Sequence, residues 1–191
     1  MNERLLNNIQ TKINLSIEEV ETLQSFWKQK RLAKNEYLVR NGEVCKYDSF
    51  VISGSFKASY IHSETGKEEI LFFAIENWWA TDLDSFANQV TSDYNIQALE
   101  ESVVEQISYQ SFEKLLRTIP KMERYFRLIL QGYATSIQRR IILSNAHSAE
   151  ERYENFLKKY PKITQKIPQY LIASYLGITP EFLSKLRSKK S

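Results

Sequence analysis

The amino-acid sequence predicts an α+β protein in which a β-rich N-terminal half precedes one long helix and a small helical C-terminal unit. Between residues 36 and 107, short apolar or alternating runs are separated by Asn-Gly, Ser-Gly and Thr-Gly pairs, which is typical of an antiparallel sandwich or barrel. From residue 120 to about 146, apolar residues recur every three or four positions, which indicates a helix. We therefore predict a β domain over residues 1–117, a connecting helix over 118–147 and a helical domain over 148–191.

The composition is that of a globular protein, with 191 residues, 42% of them hydrophobic and 26% charged. No apolar run approaches the ~18 residues of a membrane span and the N-terminus has no signal-peptide pattern, so we expect a cytoplasmic protein. The single cysteine, Cys45, excludes an internal disulfide and a cysteine cluster for zinc or iron–sulfur. His62 and His147 lack metal-ligand spacing, and no phosphate-cradling glycine loop is present. We expect no metal, no cofactor and no enzymatic activity.

Two short helices are expected to open the chain, before the strands begin. Ser16 and Glu19 have the spacing of a capping box, so the second helix should begin at Ser16. Ser148 and Glu151 have the same spacing, so they should start a separate helix after the long one. The predicted strands cover residues 37–39, 49–52, 56–61, 69–73, 94–98 and 102–107.

The long helix should begin after Pro120 and carry an apolar stripe about five turns long. Such a stripe commonly packs on the neighbouring β domain alone. Because Leu128, Leu130, Ile142 and Leu143 make other faces apolar too, one face can meet the β domain while another meets a second subunit. We expect a homodimer in which two long helices pair in parallel through Phe126, Ile129, Tyr133, Ile137 and Ile141.

The last twenty-five residues have the pattern of a helix-turn-helix. Ile172 and Leu176 form the inner face of a first helix, Ala173 permits close crossing, and Gly177 supplies the left-handed residue that ends it. Thr179 caps a second helix, in which Pro180 takes the first position and Leu183 and Leu186 point back at the first. The exposed face of the second helix would then carry Glu181, Ser184, Lys185 and Ser188. An ordinary helical hairpin is the alternative.

The positive charge lies in this same segment. From residue 150 onward, nine basic residues face four acidic ones, which gives +5, while the rest of the chain carries −2. A lysine-rich end is often only a solvated tail, but phosphate binding requires such a local excess. The residues expected to contact DNA are Gln169, Thr179, Pro180, Glu181, Ser184, Lys185, Arg187, Ser188, Lys189 and Lys190.

This order of units resembles the Crp/Fnr family of bacterial transcription regulators over nearly the whole chain. The resemblance is carried by Gly42, Gly54 and Gly66 with Lys67-Glu68 following, by the 104–108 segment Val-Glu-Gln-Ile-Ser, and by the terminal helix-turn-helix. It implies a cyclic-nucleotide-binding-type β-roll in which the Gly66 turn joins two strands, and a homodimer that binds double-stranded DNA. It also implies a small-molecule effector, and RNA polymerase as a possible further partner.

The sequence departs from this family at the nucleotide-binding cassette. Where the family has Gly-Glu for the ribose, this chain has Ala80-Thr81, and Ser92 or Asp93 stands where an arginine would hold the cyclic phosphate. A phosphate buried without a cation is costly, so cyclic AMP is not expected as the ligand, unless Lys57 or Lys67 reaches in. Trp78 and Trp79, with nearby aromatic residues, either line an apolar effector pocket or fill the core, which we favour. The candidate effector-pocket residues are Phe72, Trp79, Ala80, Thr81, Asp82, Ser92 and Tyr94.

The C-terminal helix-turn-helix also departs from the family pattern. The chain stops at Ser191, so no wing or only a minimal one is expected after the second helix. Glu181 keeps the acidic residue with which the family reads bases, but Lys185 replaces an arginine and Pro180 another, so the operator sequence does not transfer. The leading hypothesis is a DNA-binding transcription regulator. The alternative is a ligand-sensing β-roll protein whose terminal helices make protein contacts instead.

Overall fold

A computed structural model describes residues 1–188, except for the side chain of Lys162. The predicted α+β architecture is confirmed. The helices are α1 (Glu3–Gln10), α2 (Ile17–Gln24), α3 (Leu83–Asn88), α4 (Tyr109–Thr118), α5 (Lys121–Ala146), α6 (Ala149–Lys159), α7 (Pro161–Lys166), α8 (Gln169–Leu176) and α9 (Pro180–Ser188). The strands are β1 (Lys28–Leu32), β2 (Tyr37–Val39), β3 (Tyr47–Ser53), β4 (Ser55–Ile61), β5 (Glu68–Ile75), β6 (Asn95–Ala98) and β7 (Ser102–Ser108).

The strands form two antiparallel sheets, one ordered β1-β7-β3 and the other β2-β6-β4-β5. Each of the six predicted strands is present. Strand β1 escaped prediction because its sequence, Lys-Gln-Lys-Arg-Leu, is almost entirely polar and only Leu32 is buried. Its backbone nevertheless pairs with β7 from Lys28 opposite Gln106 to Leu32 opposite Ser102, at one edge of the first sheet.

Turns that contain a glycine join β3 to β4 and β4 to β5. Gly54, between β3 and β4, has φ of +90°, and a Cβ there would lie 2.8 Å from the Cα of Ser102. Only glycine fits that position, because both the backbone conformation and the close approach exclude a side chain. Gly66, with φ of +66°, lies in the turn between β4 and β5, as the family resemblance implied.

Three helices, α2, α5 and α6, begin where the sequence predicts. Ser16 and Glu19 form the capping box of α2, in which the Glu19 carboxylate accepts from the Ser16 amide at 2.7 Å. The long helix α5 begins one residue after Pro120, as predicted. Ser148 and Glu151 form a second capping box, which starts α6.

Three clusters of buried side chains hold the fold together. The N-terminal core joins α1, α2, β3 and α4 to the first turns of α5, and the β-roll core fills the space between the sheets. The third cluster, here called the junction core, connects β5 to the C-terminal helices. Its buried members are Ile70, Phe73, Ile75, Tyr153, Phe156, Ile163, Ile167, Leu171, Ile172, Ala173, Leu183 and Leu186.

The junction core places the C-terminal helices against the outer strand of the second sheet. Ile70, Phe73 and Ile75 supply the β5 side of this contact. The sequence patterns did not predict this docking, because they identify each apolar face but not its partner. Among the described residues, no helix is both long enough and apolar enough to cross a bilayer.

Candidate functional site

Helices α8 and α9 form a helix-turn-helix with the predicted turn. Gly177 takes the left-handed conformation (φ 65°, ψ 38°) that ends α8, and Ala173 is completely buried where the helices approach. The Thr179 hydroxyl accepts a hydrogen bond from the Phe182 amide at 3.2 Å, which is the predicted N-cap interaction. The turn is therefore stabilised at both of its ends.

The two faces of α9 are clearly divided. Leu183 and Leu186 are 1% and 3% exposed, so they pack against the rest of the C-terminal unit as predicted. The opposite face consists of exposed polar residues, namely Glu181, Ser184, Lys185 and Ser188. Phe182, which the sequence prediction omitted, is 42% exposed at the edge of this face. The sequence signal that could have identified Phe182 was its place next to Glu181, which was predicted to read bases.

The carboxylate at the start of α9 is held close to the helix backbone. Hydrogen bonds from its own amide and from the Thr179 hydroxyl lower the pKa of Glu181. Glu181 is therefore an ionised acceptor at the exposed end of the helix.

The other residues expected to contact DNA are distributed unevenly. Thr179 and Pro180 are exposed at the start of α9, and Arg187 is exposed near its end. Gln169, at the start of α8, is half-buried, and its Oε1 has no hydrogen-bond partner among residues 1–188. Lys189 and Lys190 lie outside the described residues.

At the cassette position, buried carboxylates stand where a nucleotide-binding protein would need a cation. Asp82 caps α3 by accepting from the Ser85 amide at 3.2 Å and also accepts from the Ser92 hydroxyl at 2.6 Å. The hydroxyl of Thr81 donates to the buried carboxyl of Asp48. Burial raises the pKa of Asp48 to about 7, although hydrogen bonds from Thr81 and the Ser49 amide oppose that rise. The polar side chains of the cassette thus bind one another.

Neither of the two lysines considered as substitutes for the missing arginine supplies a cation at the cassette. The ammonium of Lys57 lies 2.5 Å from the carboxylate of Glu68, on the neighbouring strand. Burial acts to raise the pKa of Glu68, but the hydrogen bonds from Lys57 and Ser59 outweigh it and the pKa is lowered. Lys57 is therefore neutralised within the sheet, while Lys67 is exposed beside the Gly66 turn.

The aromatic residues divide between the core and the junction. The ring of Trp79 packs edge-on against Phe50, with 5.3 Å between ring centroids, and at a tilt against Phe126, with 5.6 Å between centroids. Trp79 therefore takes the core role that the sequence analysis favoured. Trp78 instead contacts Tyr160 of the C-terminal unit at 5.5 Å.

A cavity of about 140 Å³ brings together only some of the candidate effector-pocket residues. Phe72, Trp79 and Thr81 line it, together with apolar residues of α5 that include Tyr133. Ala80, Asp82 and Ser92 are buried, and Tyr94 contacts Phe72 edge-on at 6.3 Å. Small-molecule sites usually enclose about 300–1,000 Å³, so this space is small for a nucleotide.

The predicted dimer stripe on α5 changes its environment along the helix. Phe126 is buried in the N-terminal core and Ile129 packs partly against it, so these two contact the chain's own β domain. Farther along, Tyr133, Ile137 and Ile141 are 40%, 41% and 55% exposed. The stripe that a second subunit could cover therefore begins after Ile129, where Leu130 is also exposed, and runs to Ile141.

Another face of α5, in its C-terminal half, contacts both neighbouring units through Arg140. The guanidinium of Arg140 donates to the carbonyls of Leu71 and Ile70 on β5, the latter at 3.2 Å. It also donates to the Tyr175 carbonyl of α8 at 3.3 Å and stacks over that ring at 4.2 Å. No sequence signal distinguished Arg140 from Arg139, because its partners lie far away in the chain.

Comparison with known proteins agrees with this architecture. The family described as cyclic nucleotide-binding domain matches residues 29–119. The fumarate and nitrate reduction regulatory protein of Vibrio cholerae is 28% identical over 187 residues, covering 90% of this chain and 72% of that protein. The transcriptional activator protein anr of Pseudomonas aeruginosa is 26% identical over 188 residues, covering 91% of this chain and 75% of its own.

Over about nine tenths of its length, this chain is similar to transcription regulators of the Crp/Fnr type. The solved structure of FixK2 from Bradyrhizobium japonicum supports the fold, with a TM-score of 0.73, 18% identity and coverage of 85% of this chain and 83% of that one. The relatives are regulators and not enzymes, in agreement with the prediction that this chain is not an enzyme. Nearly the whole β-roll lies within the residues that the cyclic nucleotide-binding domain matches, and α8–α9 lie outside them.

Proposed function

We propose that this Crp/Fnr regulator binds an inverted-repeat DNA sequence as a homodimer, with α9 in the major groove. The observation that carries the proposal is the division of α9, in which two buried leucines hold the helix while four polar side chains face outward. A helix that is anchored in this way presents its N-terminal residues to base edges. Such a protein would act in the cytoplasm.

The chemistry of the exposed face defines what it can read. Glu181 can accept a hydrogen bond from the amino group of cytosine, and Lys185 can donate to guanine. Phe182 can contact the methyl group of thymine. Lys189 and Lys190, by their charge in the sequence, would neutralise phosphates without reading bases.

The homodimer would bring two copies of α9 to one face of the DNA. Leu130, Tyr133, Ile137 and Ile141 follow one another at steps of three or four residues and are exposed in the single chain. Pairing this stripe with its copy would remove apolar surface from water and align the long helices in parallel. RNA polymerase is a further partner that the family suggests.

Cyclic AMP would not be the signal that controls this regulator. A phosphate placed at the cassette would lie near the buried carboxyls of Asp82 and Asp48, with Lys57 already paired to Glu68. Burying the phosphate without a cation would cost several kcal/mol, on the order of the penalty for an unpaired buried charge. An effector, if the protein uses one, would bind through other chemistry.

Selection of bound sequences from a random DNA pool tests the DNA-binding proposal. The full chain should select an inverted repeat with half-site centres ~34 Å apart, one helical turn. Lys185→Ala should cost roughly 1–3 kcal/mol and relax the preference at one base per half-site. Lys34→Ala, which changes an exposed lysine of the β-rich half, should leave binding unchanged.

One observation favours a second candidate function. The C-terminal helices are docked on β5 of the same chain through the junction core, so the terminal unit packs on a protein surface in this conformation. If the full chain selects no sequence over random DNA at moderate salt, the DNA-binding proposal fails. The terminal unit would then act by contacting proteins.

A further inference from the structure

Phe182 differs from the other phenylalanines of this chain in its exposure. The sequence contains ten phenylalanines, and the other nine are buried or half-buried, each within or against one of the three cores. Phe182 is 42% exposed on the surface of α9. Single apolar residues are common on protein surfaces, so this exposure alone does not indicate a contact. The position of Phe182 on α9 supplies the argument.

The ring of Phe182 borders the polar face of α9 at its N-terminal end. At about 100° per residue, Phe182 lies between the polar face and the buried face that carries Leu183 and Leu186. Lys185 is its neighbour one turn farther along, about 60° away around the helix, and Glu181 precedes it directly. The N-terminal end of the second helix is the part of a helix-turn-helix that meets base edges. Phe182 would therefore reach the same groove as the polar residues.

The backbone at Phe182 is fixed by the helix cap. Its amide donates to the Thr179 hydroxyl at 3.2 Å, and the amide of Leu183 donates to the Thr179 carbonyl at 3.0 Å. The side chain of Leu183 is buried, which holds this turn of α9 against the rest of the C-terminal unit. Only the two side-chain torsions of Phe182 are left to adjust, so little conformational entropy is lost when the ring makes a contact.

The charges of this first turn limit which bases it can read. From residue 179 to residue 184 the only charged side chain is that of Glu181. A carboxylate accepts from the amino group of cytosine, but it is repelled by the O6 and N7 acceptors of guanine. Any further base recognition by this turn has to come largely from apolar contact. In the major groove, thymine is the base that presents a methyl group.

We propose that Phe182 determines the specificity of this protein by contacting the C5 methyl group of a thymine in each half-site. This inference rests on the proposed function and deepens it, because it assigns a particular base to a side chain. The thymine would not be at the base pair that Glu181 reads, since its O4 acceptor would then face the carboxylate. Successive helical residues rise about 1.5 Å, less than the ~3.4 Å between base pairs, so the thymine should lie within about two pairs of that cytosine.

The size of the effect follows from the burial of one methyl group. Losing that contact should weaken binding about fourfold for each half-site, which corresponds to about 0.8 kcal/mol. A homodimer makes the contact twice, so loss at both half-sites should weaken binding about fifteenfold.

Replacement of thymine by deoxyuridine tests the proposal, because it removes the C5 methyl group and leaves the base pairing unchanged. The inverted repeat that the full chain selects is synthesised with one thymine position at a time replaced in both half-sites. Dissociation constants are then measured by fluorescence anisotropy at one salt concentration. At one position, the replacement should weaken binding of the wild type about fifteenfold.

Three variants identify the side chain that senses the methyl group. Phe182→Ala should bind the thymine and deoxyuridine repeats equally, and Phe182→Leu, which keeps an apolar side chain, should retain part of the preference. Ile17→Ala is the control, because it removes an apolar side chain that is 80% exposed on α2, and it should keep the full preference of the wild type. The measurements on the wild type change only the DNA, so they do not depend on how well any variant folds.

The outcomes separate this inference from the proposed function. The inference is wrong if the selected half-sites contain no thymine, if all their thymines tolerate deoxyuridine, or if Phe182→Ala keeps the methyl preference. An equal loss of affinity for every sequence in Phe182→Ala would place the ring against the sugar–phosphate backbone, which also contradicts it. In each of these cases the chain still binds DNA selectively. A chain that selects no sequence at all contradicts the proposed function itself, and the inference with it.

Discussion

The buried carboxyl of Asp48 should make the stability of the β domain fall as the pH rises. Asp48 is 7% exposed, and burial raises its pKa from the usual 3.8 to about 7. Between these two values the folded state keeps a proton that the unfolded state has released, so the free energy of unfolding decreases as pH increases. Below pH 4 the effect is absent, and above pH 7 the loss is complete.

The size of the effect follows from the shift. About three pKa units at about 1.4 kcal/mol per unit amount to about 4 kcal/mol between pH 4 and pH 8. Two neighbouring groups do not change charge over this interval, because burial raises the pKa of the Cys45 thiol to about 11 and also raises the pKa of the Tyr125 phenol. Comparison with a variant that lacks the Asp48 carboxyl isolates the contribution of Asp48.

Asp48→Asn provides the comparison, because an amide oxygen can accept from Thr81 and the Ser49 amide as the protonated carboxyl does. Urea unfolding followed by tryptophan fluorescence should show the wild type losing about 4 kcal/mol relative to Asp48→Asn from pH 4 to pH 8. Trp27 and Trp79 both pack in the N-terminal core, so the signal reports on the domain concerned. Asp84→Asn, an exposed change on α3, should follow the wild type. Parallel pH profiles for the wild type and Asp48→Asn would refute the reasoning.

Three further predictions follow from the fold. Tyr133→Asp or Ile137→Asp should convert a dimer to a monomer in sedimentation at micromolar concentration, because each places a charge in the exposed stripe, whereas a variant that stays dimeric would remove this helix from the interface. Calorimetry with cyclic AMP and cyclic GMP should show no binding tighter than millimolar, about −4 kcal/mol, and micromolar binding of either would mean that another cation reaches the cassette. Gly54→Ala should lower the free energy of unfolding, measured by urea unfolding, by about 1–3 kcal/mol or more, because the new methyl group would meet Ser102. Gly66→Ala is the control, since a Cβ there meets no atom within 4 Å. Equal losses in the two variants would show that Ser102 moves to make room for the methyl group.

Signals that act over a few residues were sufficient to predict much of the architecture. The capping boxes at Ser16 and Ser148, the left-handed Gly177 and the buried Leu183 and Leu186 of α9 all appear as the sequence indicated. Each depends on backbone groups or side chains within about four positions, so the local sequence contains the whole interaction. Strand β1 is the counter-example, because the backbone of β7 holds it in place although its own residues are almost all polar.

Tertiary structure decided which surface each face meets. The periodicity of α5 is the same whether Phe126 packs on the chain's own core or on a second subunit, and only the packing with Trp79 assigns it to the core. Arg140 lies 69 residues from Leu71 and 35 from Tyr175 in the chain. Its hydrogen bonds to their carbonyls therefore depend on how β5 and α8 pack against α5. Residues that are distant in the chain come into contact only when all the apolar faces of the helices and sheets pack together. No local sequence pattern specifies which face packs against which.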